Sequence, residues 1–76
     1  MEKKYRIIRI RNLSTSVAEF YTKEFAEDVW KKLEEEVEKK DKENYLIAAS
    51  FDVWNEELEL YVQEKHLMFH VKQPIN

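Results

Sequence analysis

His66 and His70, four residues apart, are the first side chains in this sequence whose type and spacing could do chemistry. On a helix that spacing aims two imidazoles at one ion. On a strand it separates them by ~13 Å, far beyond the ~2.1 Å reach of a zinc–histidine bond. Residues 66–71 alternate polar and apolar as a strand does, so two half-exposed strand histidines are expected and no metal is implied. The acidic run Glu34, Glu35, Glu36 and Glu38 offers carboxylates. A general acid, however, needs burial or a close like charge to move its pKa, and these follow Lys31 and Lys32 on what reads as a wet helix face. Ser14, Thr15, Ser16, Thr22 and Ser50 supply hydroxyls, but the chain has no glycine. That removes the nucleophile elbow, the Gly-rich phosphate loop and the dinucleotide fingerprint together. There is no cysteine either, which excludes thiolate nucleophiles, thiolate metal sites and disulfides. The expectation is a non-enzymatic protein with no catalytic residues, metal or cofactor.

Two further groups of residues point to binding. All three arginines, Arg6, Arg9 and Arg11, fall in one short segment beside Lys3, Lys4 and Tyr5. Such a segment can contact phosphates while Tyr5 stacks on a base. Nucleic-acid binding by Arg6, Arg9, Arg11 and Tyr5 is kept as the alternative, because a sequence pI of about 5.4 is far from a basic footprint. The same arginines can instead pair with Glu57 or Glu59 across a sheet. The leading expectation is protein binding. Trp54 at a hairpin tip and Tyr61 on an outward strand face are the residue types of interface anchors. Met68 and Tyr45 are expected to join an exposed patch on the second face of the sheet.

The elements that must position these residues follow from periodicity. Phe25, Ala26, Val29, Trp30, Leu33 and Val37 recur as one buried stripe, predicting a helix over about 23–40 with Thr22 as its cap. Residues 4–11 read as a β-branched strand whose alternation slips at Ile7-Ile8, so either both faces are covered or a bulge sits there. The stretch 12–21 has two readings. Ser16-Val17-Ala18-Glu19 matches a capping box that would start the helix early. A turn over 12–16 followed by a strand over 17–21 fits the composition better. After Asp41-Lys42 three strand-like runs are expected. Residues 44–53 are apolar on both sides and therefore central. Trp54-Asn55-Glu56 is expected to turn into a strand over 57–63. Gln63-Glu64-Lys65 is expected to turn again into a strand over 66–71.

The fold class is thus α+β, in the order β-(β)-α-β-β-β, with one long helix packed on an antiparallel sheet. Seventy-six residues fit a single domain over 1–76, with the tail 73–76 expected to fray. No run approaches a membrane span, and the opening residues do not read as a signal peptide, so a cytoplasmic protein is expected. Charge is uneven. Residues 1–18 carry five cations and one acid, residues 19–43 ten acids and six lysines, and residues 44–76 five acids and two lysines. One helix covers one face of a sheet, yet Ile8 or Ile10, Leu46, Ala48 and Met68 populate the other. That surplus apolar surface calls for a partner or a second copy, making a homodimer an expectation as well. The function expected is that of a small acidic stoichiometric inhibitor or adaptor, of the kind phages and mobile elements make. Its docking surface would combine the acidic helix and the aromatic-bearing sheet.

Overall fold

The structure, a computed structural model, describes residues 3–11, 14–39 and 46–68. Strands β1 (Tyr5–Arg11) and β2 (Ser14–Phe20) lead into helix α1 (Lys23–Lys39), followed by β3 (Leu46–Asn55) and β4 (Leu60–Met68). The four strands form one antiparallel sheet in the order β2-β1-β3-β4, with α1 packed on one face. The α+β class and the single long helix are as the sequence implies.

Thr22 begins the helix, its carbonyl accepting from the Ala26 amide at 3.3 Å. Ala26, Trp30 and Leu33 are buried, and Val29 and Val37 pack beside them. They close on Ile7 of β1 and on Ala49 and Phe51 of β3, which completes the core. Phe25, expected in the same stripe, is instead 67% exposed. It precedes Ala26 by about 100° of helical rotation and so lands on the flank of the buried stripe. The Ile7-Ile8 pair is explained by coverage: Ile7 is fully buried under the helix, while Ile8 lies on the opposite face at half burial. Over 17–20 the strand reading holds, but β2 already starts at Ser14, inside the segment expected to turn, and ends at Phe20, before Tyr21.

The two sequence turns around β4 need correction. The hairpin turn occupies 56–59, so Trp54 sits within β3, opposite Tyr61, and the Asn55–Leu60 pair closes the ladder. Asn55 is the turn-former: its Oδ1 accepts from the Leu58 amide at 3.0 Å. Glu59 takes φ of 53°, the left-handed region where glycine is the easy residue and this chain has none to offer. Leu58, within the strand expected over 57–63, is instead exposed in that turn. The second turn does not exist. Gln63, Glu64 and Lys65 lie inside β4, where Phe51 pairs with Lys65 but Asp52 pairs with Gln63, leaving Glu64 as the extra residue of a bulge. A turn and a bulge both shift apolar alternation by one residue, which is why the sequence pattern does not separate them. Residues 66–68 therefore belong to β4 and not to a fifth strand, and 69–76 lie outside the described residues.

Candidate functional site: the uncovered sheet face

Strand alternation sends Ile7 and Arg9 of β1 and Ala49, Phe51 and Val53 of β3 toward the helix, and Arg6, Ile8 and Ile10 of β1 and Ala48, Ser50, Asp52 and Trp54 of β3 to the face it leaves uncovered. The bulge at Glu64 restores phase on β4, so Tyr61, Gln63, His66 and Met68 all join the uncovered face. Three zones follow one another along it.

The first is aromatic. The rings of Trp54 and Tyr61 meet edge to face at 5.2 Å, and the Tyr61 hydroxyl donates to the Lys3 carbonyl at 2.8 Å. With Lys3 and Glu19 they line a hollow of about 270 Å³. Beyond it, on the exposed hairpin, Lys4 Nζ lies 2.7 Å from Glu56 Oε1. That hydrogen bond, and the ammonium charge behind it, hold the Glu56 carboxyl below the usual carboxylate range.

The second zone is polar and missed by the sequence reading. Asp52, only 4% exposed, accepts from Arg6 Nε at 3.0 Å and Arg6 Nη2 at 2.8 Å on one oxygen. Its other oxygen accepts from the Ser50 hydroxyl, and Ser50 Oγ in turn accepts from Gln63 Nε2 at 3.1 Å. The Arg6 guanidinium also lies 4.0 Å over the Tyr61 ring, tying this network to the aromatic zone. The available signal was a lone aspartate between Phe51 and Val53 in an apolar strand, two residues from a serine. His66 stands opposite Ser50 in register, so serine, histidine and aspartate share one patch. The connectivity differs from a hydrolytic triad, in which histidine stands between the other two. Here the Ser50 hydroxyl donates its hydrogen bond to Asp52 directly, and the Arg6 guanidinium balances that carboxylate's charge.

The third zone is an apolar hollow of about 410 Å³. Ile8, Ile10, Ala48 and Met68 form its floor and rim, with Gln63 and His66 on one side. Met68 is 75% exposed. Comparison with protein-family models, with curated proteins and with solved structures finds no match. The functional reading therefore rests on this geometry.

The structure brings three of the expected anchors, Trp54, Tyr61 and Met68, to one face, while Tyr45 lies outside the described residues. It does not bring the arginine group together. Arg6 belongs to the uncovered face, while Arg9 and Arg11 fall on the helix side with their Nε atoms buried and unpartnered among the described residues. Arg11 is ion-paired to Glu36 of α1 at 2.6 Å, and Tyr5 packs on Phe51 at a 6.5 Å centroid distance. The arginines' carboxylate partners are Asp52 and Glu36, in place of the expected Glu57 or Glu59. The acidic helix surface and the aromatic sheet face lie on opposite sides of the molecule, so one flat partner surface cannot engage both. Among the described residues no group of three or more His, Cys, Asp or Glu could hold a metal, and His70 lies outside them. No helix of the described residues is long and apolar enough to cross a membrane.

Proposed function

We propose that the protein is a non-enzymatic binding module that docks a second protein on the uncovered face of its sheet, acting as a stoichiometric inhibitor or adaptor. The observation that carries this is the apolar hollow beside a rigid aromatic pair on a sheet face where water-facing polar residues would be the rule. Trp54 and Tyr61 supply broad anchors at low entropic cost, since each is already held by a neighbour. The hollow takes aliphatic side chains, and Gln63 and His66 offer hydrogen bonds at its side. The partner surface is therefore apolar with a few polar groups, and not a strongly charged one. The helix surface is the weaker candidate because Lys31 and Lys32 interrupt its acids. The scattered arginines give the nucleic-acid alternative no single surface to work from. An adaptor or inhibitor of this size and acidity resembles those of phages and mobile elements, and a cysteine-free chain suits the cytoplasm.

Affinity capture from a lysate of the source organism, with wild-type protein and the double variant Trp54→Ala/Tyr61→Ala, tests this reading. The double variant should keep the wild-type circular dichroism spectrum, since neither side chain belongs to the core. A one-to-one complex held by the wild type should be lost or weakened roughly a hundredfold in the variant, as expected for paired hot-spot residues. Equal retention by the variant would remove the aromatic zone from the interface.

A further inference from the structure

Among the described residues the strand order leaves β2 and β4 as the two edges of the sheet, and they are built differently. Strand β4 carries the Glu64 bulge and the adjacent charge of Lys65, two devices that blunt an edge. Strand β2 has neither. It pairs with β1 over seven residues in unbroken register, contains no lysine or proline, and bears a single charge, Glu19. Val17 at its centre is 55% exposed. An edge of that kind offers a row of unpaired backbone groups to another strand.

The sequence of β2 is complementary to itself. Placed antiparallel about a two-fold axis at Val17, it sets Val17 against Val17, Ser16 against Ala18, Thr15 against Glu19 and Ser14 against Phe20. The lone charge meets a threonine hydroxyl and not its own copy, and every pair keeps both residues on the same face, as a continuous sheet requires. We propose that β2 is a homodimerisation edge, taking the β2 of a second copy to form an eight-stranded sheet. Both helices then lie on one side, and both uncovered faces lie on the other. The pairing consumes β2 alone, so each copy keeps Trp54, Tyr61 and Met68 free and the dimer presents two docking faces in one plane.

Mass by light scattering over a dilution series tests the pairing, with folding of each variant checked by circular dichroism. The wild type should approach twice the chain mass of 9.3 kDa at high concentration and fall toward it on dilution. Val17→Lys sets two lysines against each other on the axis and should weaken the dimer roughly tenfold or more, as like charges directly opposite do. Thr15→Lys faces Glu19 of the other copy twice and should tighten it by roughly two- to fivefold, a gain that no folding defect can imitate. Met68→Glu lies away from the edge and should dimerise as the wild type does. A wild type that is monomeric throughout overturns the proposal. So does a dimer unaffected by Val17→Lys or dissolved by Met68→Glu, the last result placing self-association on the uncovered face instead.

Discussion

Replacing Trp30 with alanine is expected to cost ~3 kcal/mol or more, and to lower the melting temperature by roughly 12 °C or more in a domain of this size. Trp30 is 3% exposed and stands edge-on to Phe51 at a centroid distance of 5.9 Å and an angle of 78°. It is the largest side chain that α1 contributes to the core, and Phe51 is the centre of β3. Truncation removes that buried area, leaves a cavity between helix and sheet, and forfeits an aromatic pair worth ~0.5–1.5 kcal/mol beyond its area. Small domains have only ~5–15 kcal/mol in hand, so such a loss removes roughly a fifth or more of the total. Thermal melting followed by circular dichroism measures it. A midpoint within a few degrees of wild type would mean that α1 does not pack through Trp30.

Asp52→Ala is expected to cost ~2–3 kcal/mol, somewhat below the ~3–5 kcal/mol typical of breaking a buried pair, because Arg6 keeps partial contact with water. The Asp52 side chain is 6% exposed and that of Arg6 29%. Removing the carboxylate leaves the guanidinium half-buried and the Ser50 hydroxyl without its acceptor. Replacing both partners by leucine should recover more than half of the loss, since no charge is then stranded. Urea midpoints of the single and double variants check this. Additive losses would mean that Arg6 and Asp52 act independently, and that the polar zone does not organise the centre of the uncovered face.

What could be read from the sequence was whatever repeats with a period. The helix stripe through Ala26, Trp30 and Leu33 follows from spacing, and the strand read over 4–11, observed as Tyr5–Arg11, from its β-branched residues. So did the surplus apolar residues on the second face, since Ile8, Ile10, Ala48 and Met68 occupy alternate positions that a single helix cannot cover. What escaped was chemistry that depends on pairing between strands. The bulge at Glu64 looks like a turn in one dimension, because either device shifts alternation by one residue. Asp52 sits 46 positions from Arg6, and only the β1–β3 register brings them together. The three arginines are neighbours in sequence yet fall on both faces of one strand, which is why their clustering promised a surface that does not form.

The central claim is that the uncovered face of the sheet, and not the charged surface of the helix, is where a partner docks. Amide chemical-shift mapping of the labelled protein, titrated with the partner retained by affinity capture, tests it most directly. The account predicts that the shifted residues are Ile8, Ile10, Ser50, Trp54, Tyr61 and Met68, with Lys31, Glu34 and Glu38 unmoved. Shifts concentrated on Glu27, Lys31, Glu34 and Glu38, with the sheet face silent, would contradict it and move the function to the helix.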